Sequence, residues 1–178
     1  MVVLSFTAAV AHQAFRSDEP AKLVYGGQRM ADSQLSKSFM TTPQTHRVFV
    51  YGTLRRGHHN HSLLEMSKFI GEAATLRTYW MITTGVFPIV LDAVPADFGL
   101  PPLAIAGEIY HVDDATLEQL DRLERKGRSY DRKVTDVYET GHMVQAHIYI
   151  GVADYWHHRH LPAWTIQNKR RELEWTPS

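Results

Sequence analysis

Between Arg47 and Ile150 short apolar runs follow one another with only two helix patterns among them, and no regular strand–helix alternation links them. That order constrains the fold more than any other feature. The run Arg47-Val-Phe-Val-Tyr51 is β-branched and aromatic and stops at Gly52, as a buried strand entering a tight turn does. Asn60 to Lys68 suits a short helix. Ile70 to Thr84 predicts one long or two short strands, and Phe87 to Leu91 a further short one. Asp92 to Pro102 carries Pro95, Gly99, Pro101 and Pro102 and is a loop by composition. Leu103 to Val112 reads as a strand. Asp113 or Asp114 can cap a helix over Ala115 to Arg125, which Gly127 then stops. Arg132 to Tyr138 and Met143 to Ile150 flank Glu139-Thr-Gly-His142 and form a hairpin. About six strands with two helices interspersed give an α+β class, a small mixed β-barrel with flanking helices.

These patterns divide the chain into an N-terminal extension (1–45), a central domain (46–150) and a C-terminal tail (151–178) rich in His, Trp and charge. A chain of 178 residues with 44% apolar content can bury a core without staples. It has no cysteine, which excludes disulfides, thiolate metal sites and a cysteine nucleophile. Lys plus Arg and Asp plus Glu are equal at 19 each, so no overall field draws the chain to nucleic acid or anionic lipid. No apolar run has the length of a transmembrane helix. The expected compartment is cytoplasmic. A mitochondrial one is the alternative, because the first 17 residues hold no acid and a single arginine, Arg16.

Two places can carry chemistry. In Tyr51-Gly-Thr-Leu-Arg-Arg-Gly57 a buried strand leads into glycine and a polar turn. Successive amides in such a turn can hold an anion, although most strand–glycine turns are structural. In the helix after Asp113, positions 117, 120 and 124 share one face, so Glu124 falls at the edge of the buried stripe while Glu118 and Asp121 point more outward. Glu124 also lies in the last turn, at the negative end of the helix dipole. Burial and dipole together predict a raised pKa and a carboxyl able to exchange protons near neutral pH. The competing reading is a glutamate paired with Arg128 or Arg132 that only fastens the helix end. His58, His59 and His61, and His157, His158 and His160, lack the i, i+4 spacing of a helical metal pair, so no metal is expected. No Gly-x-Ser-x-Gly elbow is present. The cations Arg122, Arg125, Lys126 and Arg128 suit a solvated helix end better than a nucleic-acid surface.

The two places occur in an order that is itself informative. Val48-Phe-Val-Tyr-Gly-Thr-Leu-Arg-Arg-Gly57 with Asn60-His61, then Gly107-Glu-Ile-Tyr-His-Val-Asp113, Leu120-Asp-Arg-Leu-Glu124, Tyr130, Arg132 and Val144-Gln145, resembles the γ-glutamylcyclotransferase-like superfamily. The resemblance is closest to the AIG2-like γ-glutamylamine cyclotransferases. It implies a cavity with Glu124 as catalytic acid/base. Tyr51, Gly52, Thr53, Leu54 and Tyr130 would bind substrate. It also implies a small-molecule γ-glutamyl substrate, 5-oxoproline as product, and neither cofactor nor metal. Arg132 is expected to be structural. The stretch Ala74 to Leu103 follows the family pattern only loosely, which leaves the departing amine open. The alternative function is a catalytically silent subunit, a scaffold in a larger, mitochondrial assembly, with residues 1–45 and 151–178 as protein-binding arms and Trp156, Trp164 and Trp175 as contacts.

Overall fold

The computed structural model describes residues 44–94, 96, 98–157, 159, 161–163 and 170–177. Almost all of the expected N-terminal extension, and Trp164, lie outside them. Among the described residues there are seven strands: β1 (Thr45–Val50), β2 (Lys68–Thr75), β3 (Trp80–Thr83), β4 (Pro88–Leu91), β5 (Ala106–Asp113), β6 (Tyr130–Glu139) and β7 (His142–Gly151). The helices are α1 (Asp114–Leu123) and α2 (Ala153–His157), with a 3-10 turn at His61–Leu64. Five strands close a barrel in the order β1-β5-β2-β6-β7. All its pairs are antiparallel except β1 with β7, which meet in parallel at Val48 and His147. The remaining two, β3 and β4, form a separate antiparallel pair. The fold is a small mixed barrel with flanking helices, as the strand pattern predicts.

Alternation along the strands sorts the core into two sets. Phe49, Ile109, Val137, Ala146 and Ile148 face one way with Met81 and Val90. Val48, Val50, Tyr110, Val112 and Tyr149 face the other, against Leu117 and Leu120 of α1 and Ile82, Ile89 and Leu91 of the β3–β4 pair. Successive side chains fall on opposite sides of a strand, so β1 serves both sets at once. Close packing of β1 on β5 leaves no room at Gly107. A Cβ there would stand 2.4 Å from the Val50 carbonyl oxygen and 2.6 Å from Phe49 Cζ.

Helix α1 starts where the sequence predicts. The Asp113 carboxylate accepts a hydrogen bond from the Thr116 N–H at 2.8 Å, and this bond holds its pKa below the usual carboxylate range. Asp113→Ala is expected to lower the urea midpoint of unfolding at pH 7, the usual direction of losing an N-cap.

Two expectations change, and one open alternative resolves. The predicted helix over Asn60–Lys68 is one 3-10 turn, because Asn60 spends its side chain on Thr53 Oγ1 (2.9 Å) instead of capping, and Lys68 already pairs with His111 in β2. Of the two alternatives for Ile70–Thr84, the structure has two strands, β2 and β3. The C-terminal tail is not separate from the barrel: Trp156, Leu173 and Trp175 are 6%, 3% and 1% exposed, so they belong to the core. Leu173 bridges in parallel to Ile105 at the start of β5, and its N–H and C=O bond to Ala104 and Ala106. Trp156 and Trp175 are therefore not available as contacts for a partner. Among the described residues no helix is long and apolar enough to cross a membrane.

Candidate active site

The turn after β1 is held from several sides. The Arg55 N–H donates to the Gly52 carbonyl at 3.0 Å, and the Arg56 N–H donates to the Glu108 carboxylate at 3.0 Å. Asn60 donates to Thr53 Oγ1 at 2.9 Å, and His61 Nδ1 lies 3.1 Å from the Leu54 carbonyl. The Arg55 guanidinium reaches the Trp175 carbonyl (3.3 Å) and the Glu174 carboxylate (3.1 Å), so the C-terminal segment also braces the turn. The amides of Thr53 and Leu54 have no acceptor among the described residues. They are fixed donors with unused hydrogen-bonding capacity, as an anion or oxyanion site requires. Gly52 is needed here for close approach, since a Cβ would fall 2.8 Å from Pro88 Cγ.

Glu124 caps the C-terminus of α1, its own N–H donating to the Leu120 carbonyl at 2.9 Å. Its carboxyl lies in a cavity of about 270 Å³, of which Tyr51, Gly52, Thr53, Leu54 and Tyr130 also form walls. Among the described residues the carboxyl has no hydrogen bond and no ion pair. Burial alone pushes its pKa up to about 7. The cause is desolvation, and it leaves the group titrating where proton exchange is fastest at neutral pH.

Neither cation expected to pair with Glu124 does so among the described residues, and Arg132 goes elsewhere. Arg132 lies 3.1 Å from Asp121, which also accepts from the Tyr149 hydroxyl (2.7 Å) and Lys126 (3.0 Å). Burial opposes the Asp121 charge, but Tyr149, Lys126 and Arg132 together hold its pKa below the usual range. Asp121 is thus turned inward, contrary to its expected outward position, and its network relieves Glu124 of a structural role. Four phenols line the cavity, Tyr51, Tyr130 and Tyr149 in its wall and Tyr155 at its mouth. Tyr51 donates to the Tyr149 carbonyl at 2.7 Å, and Tyr130 points to the Pro88 carbonyl at 3.4 Å. Burial first, and the nearby Glu124 charge as well, push Tyr51, Tyr130 and Tyr149 well above the usual phenol range. They stay protonated, so none of these three competes with Glu124 for proton exchange near neutral pH.

All six residues selected from the sequence, Glu124, Tyr51, Gly52, Thr53, Leu54 and Tyr130, meet on this one cavity. Sequence reasoning missed the mouth. Phe87 and Tyr155 stand edge-on to Trp156, with ring centroids 6.0 and 4.9 Å from it, and Tyr130 lies 5.8 Å from it. The Trp156 indole donates to the Ser129 carbonyl at 2.7 Å, which locks this wall to the segment following Glu124. The adjacent aromatics Tyr155-Trp156 were the only signal, and nothing local tied them to a cavity built by β1 and α1.

Residues 48–168 match the family described as gamma-glutamyl cyclotransferase, AIG2-like. A protein of Methanocaldococcus jannaschii, provisionally named a gamma-glutamylcyclotransferase, is 38% identical over 104 residues, spanning 57% of this chain and 81% of the relative. A gamma-glutamylcyclotransferase family protein of Escherichia coli is 32% identical over 88 residues, 49% of this chain and 70% of the relative. The crystal structure of an AIG2-like protein from Mus musculus superposes with a TM-score of 0.56 at 26% identity, covering 76% of this chain and 97% of that one. With its barrel, its strand-end turn and its half-buried glutamate, the chain belongs to the AIG2-like gamma-glutamyl cyclotransferase family.

Proposed function

We propose that the protein is a γ-glutamylamine cyclotransferase, which closes the γ-glutamyl unit of an amide to 5-oxoproline and frees the amine. Family membership supports the reaction class. The observation that carries the reading is a desolvated, unpaired Glu124 sharing one cavity with the free amides of Thr53 and Leu54. The glutamyl α-ammonium gives a proton to the Glu124 carboxylate and becomes a nucleophile. Its nitrogen attacks the γ-carbonyl carbon of the same molecule, forming the five-membered ring, and the carbonyl oxygen takes negative charge. The Thr53 and Leu54 amides are suited to bind that oxygen or the substrate α-carboxylate. As the tetrahedral centre collapses, Glu124 returns its proton to the departing nitrogen, the C–N bond to it breaks, and the ring nitrogen gives up its second proton, which the freed amine takes up. A cavity of this size holds the substrate folded, and proximity supplies much of the acceleration.

Tyr51 and Tyr130 shape the wall and keep their protons. Incubation of the purified chain with γ-glutamyl-ε-lysine tests the reading: 5-oxoproline and lysine should appear in equal amounts, and absence of both refutes it. Gly52→Ala is expected to lower kcat/KM by one to two orders of magnitude, on the order expected for misplacing a binding group by a fraction of an ångström, because its Cβ must displace Pro88 or the turn. Steady-state kinetics with unchanged circular dichroism would check this.

A further inference from the structure

The end of α1 follows the Schellman pattern. The Arg125 N–H donates to the Arg122 carbonyl at 3.2 Å, and the Lys126 N–H donates to the Asp121 carbonyl at 3.0 Å. The residue just past the cap then lies in the left-handed region, where glycine is strongly favoured. Here it is Arg125, with φ 51°. A side chain kept at a strained backbone position calls for a reason. Arg125 lines the cavity directly beside Glu124. Its guanidinium makes no hydrogen bond or ion pair among the described residues.

Three neighbouring cations are occupied, and Arg128, whose guanidinium has no bond among the described residues, does not line the cavity. Lys126 pairs with Asp121, Arg122 stands 3.9 Å from Glu118, and the Arg159 guanidinium lies 3.9 Å above the Tyr155 ring and bonds that residue's carbonyl. The Arg125 charge is not spent on Glu124, which burial alone controls. It does reach the mouth of the cavity. The Tyr155 phenol there is held below its usual range first by Ser129 and then by Arg159, Arg125 and Arg128. A cation at a helix C-terminus is favourable in itself, but that does not account for one at the strained position on the cavity wall.

We propose that Arg125 is a specificity-determining residue, receiving a carboxylate carried by the departing amine, so that the substrate is a γ-glutamyl derivative of an amino acid or peptide rather than of a plain alkylamine. This rests on the cyclotransferase reading. The Thr53 and Leu54 amides can take one anionic group of the glutamyl unit, and Arg125 supplies a second anion site beyond Glu124 with the planar fork that a carboxylate fits.

The test uses two substrates of similar size, γ-glutamylglycine and γ-glutamylethylamide, which differ in the carboxylate. Each is measured with the full chain, Arg125→Gly and Arg125→Lys, by 5-oxoproline release and, separately, by calorimetric binding. Arg125→Gly suits the left-handed backbone, so its Tm should equal or exceed that of the parent, and misfolding will not mask the result. The parent should favour γ-glutamylglycine by about 10- to 100-fold in kcat/KM and in Kd, the range of a charge-assisted contact. Arg125→Gly should shrink that ratio about tenfold or more, mainly through KM, and Arg125→Lys should keep part of it. No preference in the parent, or the same preference in Arg125→Gly, overturns the proposal. Preferential binding without any 5-oxoproline would sustain Arg125 as the carboxylate site and refute the cyclotransferase reading. Failure to bind either compound refutes both.

Discussion

Glu124→Gln is expected to lower 5-oxoproline release by about 10²- to 10⁴-fold, the range associated with losing a general acid/base, while the barrel stays folded. The same substitution should raise stability at high pH. Glu124 has a folded-state pKa of about 7 against an ordinary value of 4.5. Between these two values the folded chain binds more protons than the unfolded one, so this group makes stability fall as pH rises through that window. At about 1.4 kcal/mol per pKa unit the penalty reaches about 3 kcal/mol above pH 7 and vanishes below pH 4.5. Glutamine carries no such penalty. Urea unfolding at pH 8 should show the variant more stable than the parent, with the gap closing towards pH 5. In the parent, kcat/KM should rise with pH through about 7 as the carboxyl ionises. An inactive variant of equal stability at both pH values would leave Glu124 a catalytic role but contradict its desolvation. A fully active one would remove it from the mechanism.

Trp175→Ala is the second large effect. The indole is 1% exposed among Phe49, Tyr79, Met81 and Ile148, although it lies only three residues from the end of the chain. Truncating a fully buried tryptophan leaves a cavity and destabilises by about 3–5 kcal/mol. In a chain of this length that lowers Tm by roughly 10 °C or more, readable by calorimetry. Activity should fall with it even below the new Tm, because the backbone of Trp175 holds the Arg55 guanidinium behind the turn that carries the free amides. Trp175→Phe should retain most of the stability, since the indole N–H has no acceptor among the described residues and its loss breaks no hydrogen bond. A Trp175→Ala variant with an unchanged Tm would show that the C-terminal segment is peripheral after all.

The parts of the site that were readable in advance share one property: each is encoded within a few neighbouring residues. Val48 to Tyr51 alternates between two buried faces and ends at a glycine, so strand and turn follow from spacing alone. Asp113 caps α1, and the 117, 120, 124 spacing puts Glu124 on the edge of its buried stripe. The hairpin turn at Thr140-Gly141 is equally local, with φ of 38° and 94° at its two residues. Asp121 was misjudged for the opposite reason. Helix periodicity turns it towards solvent, but Tyr149, Arg132 and Lys126 arrive from β7, β6 and the segment beyond the helix and draw it in.

Local pattern therefore decided the elements, the amide turn and the placement of Glu124 on a helix edge, because backbone geometry converts residue spacing into faces without reference to the rest of the chain. Tertiary structure alone decided that Glu124 is unpaired. Its candidate partner Arg132 is captured by Asp121, an outcome set by which side chains strand pairing brings within 4 Å. Folding also decided that Trp156 closes the cavity mouth and that Trp175 fills the barrel beside the turn. Spacing cannot foresee contacts between residues a hundred positions apart, whose energy is gained only when the whole barrel closes and water leaves.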